Sequence, residues 1–334
     1  MNLYNKSFIT SNLFNELNNL KNQINDKTKW AQCVKLTNYY ENVNHFDKYK
    51  RISRAFYKLY ELDYTYDIID KKNDNLKVGN LCEAPGGFTE CILVLRKNIP
   101  TKIFTQSILE CEIQFSKKIP KDLITFGSQM TGDLYNPIVI QDFVNKIPDG
   151  YDLITADGGI DVSKDYKYQE QLSIKLILAQ ILTAFKSLKT GGTFVLKVFD
   201  IFMLPTIQLL FLVYNNFNEF IITKPIVSRP CNSEKYIIAK KFKGNLDDVS
   251  ILLKNLNKNT INDIGVKVSK EFEKIILNTN IKMVGNQINS LKITLENYKH
   301  INNHKFIQQL KNYQFDETKK YSDYFKIHNL INYL

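Results

Sequence analysis

Three charged side chains stand at the ends of predicted strands, where an α/β sheet carries its chemistry. Asp157 follows one strand, Lys197 lies near the end of the next, and Glu234 precedes the last. Ligands bind at the carboxyl ends of the parallel strands in such sheets. If the last strand is antiparallel, its beginning lies at the same edge and the three side chains converge. A lysine beside two carboxylates could orient a substrate or take a proton from it.

A glycine turn precedes these residues. Residues 81–88 read Leu-Cys-Glu-Ala-Pro-Gly-Gly-Phe and lie between a short β-rich run and the apolar segment 89–95. Glycine lets the backbone approach a ligand closely, and the helix that follows directs free N–H groups toward it. The turn lacks the Lys-Ser/Thr of a P-loop and the spaced glycines of a dinucleotide fingerprint. It predicts a nucleotide-type cradle, although Gly-Gly is also common in ordinary turns.

The elements that must position these residues alternate between β-rich and helical stretches. The alternation favours an α/β fold with a mostly parallel, doubly wound sheet. The clearest helix spans residues 168–188, with an inner face that includes Leu172 and a glycine end at Gly191-Gly192. The predicted strands are residues 78–83, 102–107, 123–127, 151–156, 192–199, 219–224 and 235–241.

Helical extensions are expected on both sides of this core. Residues 1–50 contain an amphipathic pattern through Leu17 and Leu20 that should pack on the main domain. A second helical pattern spans residues 52–62, with Ser53 as its N-cap. Residues 245–334 are rich in Asn and Lys and predict a helical appendage without a usable motif. The predicted division is therefore 1–50, 51–244 and 245–334.

Composition narrows the class of protein. The 334 residues carry a net charge of +11, which favours a polyanionic partner, although a Lys-rich genome would leave the same trace. The five cysteines form no C-x-x-C pair, which indicates a reduced, intracellular protein without a structural zinc site. His300 and His304 sit among Asn and Lys, so no metal site is expected there. The apolar run 201–214 is shorter than the ~20 residues of a membrane span, so no membrane association is expected.

Two sets of residues resemble one known family. The segment 82–88 resembles motif I of the FtsJ-like S-adenosylmethionine-dependent RNA 2'-O-methyltransferases, although Asn80 replaces the usual acidic residue. Lys58, on the predicted 52–62 helix, completes with Asp157, Lys197 and Glu234 the Lys-Asp-Lys-Glu tetrad of that family. The resemblance implies a Rossmann-like fold whose seven-stranded sheet has its last strand inserted antiparallel.

The resemblance also assigns the cofactor. S-adenosylmethionine would lie along the glycine turn, with Asp133 toward the adenine amino group and Asp157 beside the methyl group. No obvious carboxylate ends the 102–107 strand for the ribose hydroxyls, and Glu110 is a weak substitute. The turn residues implied as cofactor contacts are Glu83, Ala84, Pro85, Gly86, Gly87 and Phe88.

The implied catalytic question is which lysine removes the ribose proton. Lys197 would be the base or a steering group, and a lysine ordinarily titrates near ~10.4, so its pKa would have to fall by about 3 for neutrality at pH 7. Burial and the nearby Lys58 lower the pKa of Lys197, whereas Asp157 and Glu234 raise it. The sequence leaves this balance open.

The motif contexts point to a branch of the family. Residues 158–163, Gly-Gly-Ile-Asp-Val-Ser, and the long extensions resemble cap-specific enzymes, particularly those of large cytoplasmic DNA viruses. The implied reaction methylates the first transcribed nucleotide of capped mRNA in the cytoplasm, alongside other capping enzymes. The alternatives are an rRNA or tRNA 2'-O-methyltransferase, or a catalytically inactive RNA-binding capping subunit. Trp30, Tyr39 and Tyr40 would either stack on a base or pack internally.

Overall fold

The computed structural model describes residues 8–160 and 168–332. Its centre is a seven-stranded sheet, and the predicted number of strands is confirmed. The strands are β1 (Leu76–Leu81), β2 (Thr101–Gln106), β3 (Ile124–Thr125), β4 (Tyr151–Ala156), β5 (Leu188–Val198), β6 (Phe217–Thr223) and β7 (Lys235–Phe242). Their order across the sheet is β3-β2-β1-β4-β5-β7-β6.

Strand β7 runs against the rest of the sheet. It pairs antiparallel with both β5 and β6, whereas the remaining pairs are parallel. The mostly parallel α/β sheet with an inserted antiparallel strand is therefore confirmed. Because β7 is reversed, its amino-terminal end lies at the same edge of the sheet as the carboxyl ends of the other strands, which run parallel to one another. The β5–β7 register places Lys197 opposite Tyr236.

Helices cover both faces of the sheet. On one face, α5, α6 and α7 contribute the largest apolar cluster, and on the other α3 and α4 build a second one. The helices are α1 (Phe8–Lys21), α2 (Lys27–Thr37), α3 (Ala55–Tyr66), α4 (Gly87–Leu95), α5 (Pro137–Asn145), α6 (Gln169–Ser187), α7 (Leu204–Asn216), α8 (Val249–Leu256), α9 (Lys270–Tyr298) and α10 (His304–Tyr324).

The ends of two predicted helices differ from the sequence pattern. Helix α6 ends at Ser187 and Leu188 starts β5 directly, so the glycine end predicted at 191–192 is wrong. Gly191, with a φ of 86°, instead lies where the β4–β5 register shifts. Helix α3 begins at Ala55, and Ser53 accepts a hydrogen bond from the Ala55 N–H at 3.2 Å without being the N-cap residue.

The inner face of α6 also differs at its first turn. Leu172 is 50% exposed, whereas Glu170 points inward and its carboxylate accepts hydrogen bonds from the Phe202 and Met203 N–H groups. These two N–H groups precede α7, so an acid at this position satisfies the start of that helix. The need for a hydrogen-bond acceptor before α7 thus places Glu170 inside, although the apolar periodicity of α6 favours Leu172.

The terminal extensions pack on each other as well as on the core. Leu17 and Leu20 of α1 lie buried against Val284 and Ile288 of α9, and Phe14 contacts the Phe202 ring edge-on at 5.4 Å. The amphipathic helix predicted in residues 1–50 is therefore present, but its main partner is the C-terminal extension. The apolar residues of α8 and the start of α9 join the α6–α7 cluster. The three-way division of the chain stays a prediction.

Several global features concern the described residues alone. None of their helices is both long and apolar enough to cross a membrane. Within the same ranges, no group of three or more His, Cys, Asp or Glu side chains is arranged to hold a metal ion. His300 lies beyond α9 and His304 starts α10, so their spacing does not place them on one helix. All five cysteines are free thiols.

Candidate active site

Lys197 and Asp157 form the first ion pair of the site. Asp157 follows β4 directly and Lys197 is near the end of β5, and these two strands are parallel neighbours with Ala156 paired to Leu196. The Lys197 Nζ lies 3.2 Å from the Asp157 Oδ1 and donates to the Asp157 carbonyl oxygen at 2.7 Å. The sheet register alone therefore brings the two residues side by side.

Lys58 and Glu234 form the second pair. Lys58 projects from α3 and its Nζ donates to the Glu234 Oε2 at 2.8 Å. Glu234 immediately precedes β7, so the reversal of that strand brings it to the site. Its other carboxylate oxygen accepts a hydrogen bond from the Ser228 hydroxyl at 2.8 Å. The structure thus brings all four predicted tetrad residues to one edge of the sheet, in two ion pairs.

The two pairs influence each other electrostatically. Burial raises the pKa of Glu234, but the positive charges of Lys58, Lys197 and Lys224 lower it by more, so that the pKa is about 2. Burial lowers the pKa of Lys197, but Asp157 and Glu234 raise it more, so it lies above the ordinary value. The balance left open by the sequence falls on the side of the carboxylates. Lys197 is therefore a cation in the protein at neutral pH.

Two supporting residues were missed by the sequence reasoning. The Tyr236 hydroxyl donates to the Asp157 Oδ1 at 2.7 Å, and the tyrosine is fully buried. The Lys224 Nζ donates to the backbone oxygens of Asn232 and Glu234 at 2.9 and 3.0 Å, and burial lowers its pKa to about 7. Tyr236 could have been found from its position two residues after Glu234, at the start of the strand that Glu234 precedes. Lys224 carried no comparable signal.

A cavity of about 580 Å³ opens beside Lys197 and Asp157. It lies beyond the carboxyl ends of β1, β2 and β4, where open α/β sheets bind ligands. Ala84 and Asp133, both predicted as cofactor contacts, line it. Cys82 of the glycine motif also lines it, as do Gly132 and Leu134 on either side of Asp133. The lining residues that the sequence did not single out include Ser107, Ile108, Cys111, Glu112 and Tyr135.

The other predicted turn residues make contacts within the protein, and their role as cofactor contacts stays a prediction. The Glu83 carboxylate is buried and accepts a hydrogen bond from the Thr89 N–H at 2.8 Å, which satisfies the start of α4. Burial raises the pKa of Glu83 to about 8. Phe88 is fully buried with its ring 6.1 Å from that of Tyr236, and the Pro85 carbonyl accepts from the Ser116 N–H. Within the described ranges, Ala84 is the one residue of 83–88 in the cavity wall.

The two glycines are needed for packing around the turn. Gly86 has a φ of 111°, which favours glycine, and a Cβ there would lie 2.5 Å from the Ile119 side chain. A Cβ on Gly87 would lie 2.3 Å from the Ser53 Oγ and 3.0 Å from the Phe56 backbone nitrogen. Protein atoms thus lie close to both glycines, and the predicted contact of these glycines with a ligand stays a prediction.

Only some of the carboxylates expected around the cavity line it. Asp133 lines it, and its Oδ1 accepts a hydrogen bond from the Tyr135 N–H at 2.8 Å. Glu110 is exposed on the loop after β2, whereas Glu112 of the same loop lines the cavity. Asn80 is fully buried and joins β1 to α4 and β4 through Thr89 and Thr155.

Part of one motif lies outside the described residues. Gly158 and Gly159 are described, and a Cβ on Gly159 would lie 3.4 Å from the Lys197 Nζ. The remaining Asp161, Val162 and Ser163 of the 158–163 segment fall in the gap between the described ranges.

The chain is similar to known methyltransferases over most of its length. The FtsJ-like methyltransferase family matches residues 51–242. The cap-specific mRNA (nucleoside-2'-O-)-methyltransferase 1 of Dictyostelium discoideum is 34% identical over 264 residues, which cover 69% of this chain and 34% of that protein. The Homo sapiens protein of the same name is 31% identical over 253 residues, which cover 66% of this chain and 30% of that protein.

The chain spans about a third of the length of these two relatives. A solved structure described as a ribosomal RNA methyltransferase from Plasmodium falciparum matches with a TM-score of 0.44 and 24% identity, covering 58% of this chain and 99% of that one. The family match contains the glycine turn and all four residues of the two ion pairs and covers more than half of the 334 residues. The chain therefore belongs to the FtsJ-like methyltransferase family.

Proposed function

We propose that the protein transfers a methyl group to the ribose 2'-hydroxyl of the first transcribed nucleotide of capped mRNA. The observation that carries the proposal is the meeting of Lys58, Asp157, Lys197 and Glu234 in two adjacent ion pairs beside a ligand-sized cavity. The names of the curated relatives support the choice of capped mRNA as the substrate.

S-adenosylmethionine is the methyl donor of this family. The cavity of about 580 Å³ is within the ~300–1,000 Å³ typical of small-molecule sites. Its lining contains the carboxylates of Glu112, Asp133 and Asp157, which suit a ligand that carries a nucleoside and a positive charge. When bound, the donor supplies an activated sulfonium methyl group. We infer that Ala84, Asp133 and Asp157 are among the residues that would hold it.

The tetrad residues would align the acceptor. A ribose hydroxyl is a weak nucleophile, so much of the rate must come from holding its oxygen in line and removing one proton. Lys197 lies at the cavity wall and would orient this oxygen and take its proton. Lys58 and Glu234 form the second ion pair, and Glu234 acts electrostatically on Lys197. Because a nearby positive charge lowers the pKa of a lysine, a cationic ligand beside Lys197 would favour its neutral form.

A methyl-transfer assay on RNAs that differ only at the 5' end tests the proposal. We expect transfer to an RNA with an unmethylated first ribose and a 5' cap, and little transfer to the same RNA with a 5' triphosphate. Equal transfer to both would contradict cap specificity.

The same assay separates the alternatives. Transfer to structured rRNA or tRNA without a cap would indicate an rRNA or tRNA 2'-O-methyltransferase. RNA binding with neither transfer nor S-adenosylmethionine binding would indicate an inactive capping subunit. The intact pairing of the tetrad argues against this last reading.

We also propose that the protein acts in the cytoplasm together with other capping enzymes, as the cap enzymes of large cytoplasmic DNA viruses do. The five free thiols suit a reducing compartment. Fractionation of producing cells, with co-purification of capping activities, tests this. Recovery in a membrane or secreted fraction would contradict it.

A further inference from the structure

A groove between α2 and α10 is built from both terminal extensions. We call it the α2–α10 groove, and its volume is about 430 Å³. Lys35 lines one wall, Phe46 lies at one end, and Lys311 and Phe315 project from α10. The groove lies outside the cofactor cavity and has no part in the ion pairs of the tetrad.

The groove combines one exposed aromatic ring, Phe315, and one half-buried ring, Phe46, with cations. The Phe46 and Phe315 rings lie 5.1 Å apart, and Phe315 is 56% exposed although it is a large apolar side chain. Lys35 and Lys311 are exposed beside them. Exposed aromatic rings next to lysines are the combination that binds single-stranded nucleic acid, because bases stack on the rings and phosphates contact the ammonium groups.

The carboxylate in the groove is already neutralised. Glu41 is bound by Arg229 at 2.6 and 3.0 Å and lies 3.4 Å from Arg54. Among the described lining residues, Lys35 and Lys311 therefore leave an excess of positive charge, which is complementary to a polyanion. A protein partner with an apolar face would be less well matched by this charge.

The floor of the groove is rigid. Gln314 of α10 is buried, and its amide nitrogen donates to the Lys35 carbonyl oxygen while its amide oxygen accepts from Asn42, both at 2.8 Å. These bonds join α10 to α2 and to the turn after it. The two elements that carry the lining residues are therefore held together before any ligand binds, which reduces the entropic cost of binding.

The groove has a link to the tetrad, because Glu41 in its lining is bound by Arg229, whose pKa is raised by Glu41 and in part by the nearby Glu234 carboxylate. Lys35 also lines a smaller cavity of about 220 Å³, together with Arg229 and Ser233. Ser233 directly precedes Glu234, which belongs to the tetrad. Lys35 therefore lines both the groove and a second cavity whose wall reaches the residue before Glu234.

We propose that the α2–α10 groove binds the single-stranded RNA that follows the methylated nucleotide, with bases on Phe46 and Phe315 and phosphates at Lys35 and Lys311. The identity of this RNA as substrate rests on the proposed function. RNA binding by the groove itself does not depend on methyl transfer.

A length comparison in the full chain tests the proposal. The test variant is Lys311→Ala/Phe315→Ala, and the control is Lys282→Ala/Tyr324→Ala, which removes an exposed lysine and a 67% exposed aromatic outside the groove. Each is assayed with a capped dinucleotide and a capped 12-nucleotide RNA. We expect the KM for the longer RNA to rise about tenfold in the test variant, because one stacking contact and one phosphate contact are lost. The dinucleotide KM and both control values should stay near wild type.

Each other result has a definite meaning. An equal loss on the dinucleotide would place the cap end in the groove and overturn the proposal, as would unchanged KM values on both RNAs. Absence of transfer by the wild type would contradict the proposed function instead. The groove is then still tested by the binding of an uncapped 12-nucleotide RNA, measured as fluorescence anisotropy at several salt concentrations. Lys35→Ala/Lys311→Ala should reduce the log–log salt slope by about 1.4, since each single-strand phosphate contact contributes ~0.7. An unchanged slope would overturn the groove proposal alone.

Discussion

The two ion pairs of the tetrad are built in different ways. Lys197 and Asp157 come from adjacent parallel strands, and their contact follows from the β4–β5 register. Lys58 and Glu234 come from a helix and from the residue before an antiparallel strand, and their contact depends on the packing of α3. One pair is thus fixed by the sheet and the other by tertiary packing.

The difference also appears in the charges. Glu234 is surrounded by three lysines, and its pKa is about 2, so it stays ionised under all ordinary conditions. Lys197 faces two carboxylates, and its pKa lies above the ordinary value. Glu234, from the pair fixed by tertiary packing, thus supplies a permanent negative charge. Lys197, from the pair fixed by the sheet, is the lysine whose protonation that charge influences.

Removing the sheet lysine should have the largest effect. Lys197→Ala should lower the single-turnover methyl-transfer rate by about 10²–10⁴-fold, because the group that orients and deprotonates the hydroxyl is lost. Binding of S-adenosylmethionine, measured by calorimetry, should be nearly unchanged. A variant that loses donor binding together with activity would indicate that Lys197 serves the cofactor cavity instead of the acceptor.

Neutralising the packed carboxylate should move the pH profile. A lysine must lose its proton to act as a base, so the rate should rise as the pH approaches the pKa of Lys197. Glu234 raises that pKa, and Glu234→Gln should therefore shift the rise in the pH–rate profile toward lower pH. If the profile stays in place while the rate falls, Lys197 acts as a steering cation and not as the base.

The pH dependence of the folding stability of the same variant provides an independent check. The folded pKa of Glu234 is about 2 against an ordinary 4.5, so its ionised form stabilises the fold above pH 4.5. That contribution is lost as the pH falls from 4.5 toward 2. In thermal unfolding, the E234Q variant should lack this part of the acid dependence and be less stable at pH 7 by about 2 kcal/mol.

The smallest effects should come from the two buried hydroxyl donors. Tyr236→Phe removes the hydrogen bond to Asp157, and Ser228→Ala removes the one to Glu234. Each should reduce stability by about 1 kcal/mol, and Tyr236→Phe should lower kcat about fivefold, because the same Asp157 oxygen binds Lys197. Ser228→Ala should change kcat less, since three lysines still hold Glu234. The reverse order, measured as kcat at saturating RNA, would show that the packed pair is the more sensitive one.

Much of the sheet could be predicted because its residues are locally informative. Strand β4 was placed at its observed bounds, and β7 at its observed start, since apolar runs bounded by turn residues are typical of buried strands. The antiparallel direction of β7 came from the family resemblance. The same resemblance supplied the tetrad, and the geometry brings its members together.

The features that the sequence patterns did not predict have one physical cause in common. In each, a polar or glycine residue contacts a part of the protein that the linear pattern does not reveal. Glu83 and Glu170 each accept hydrogen bonds from the start of a helix, and neither acceptance is visible in a linear pattern. The apolar periodicity placed Leu172 inside, whereas the start of α7 required Glu170 there. Trp30 and Tyr40 are packed internally, against the α1–α9 cluster and the Tyr321 ring respectively, and this choice depends on distant helices.

Gly87 is the point at which the glycine turn and the start of α3 contact each other. The space above its Cα holds a hydrogen atom and nothing larger, because the Ser53 hydroxyl and the backbone of α3 press against it. The same helix, one turn further on, carries Lys58. A side chain at position 87 would therefore force apart the glycine turn and the helix that carries Lys58.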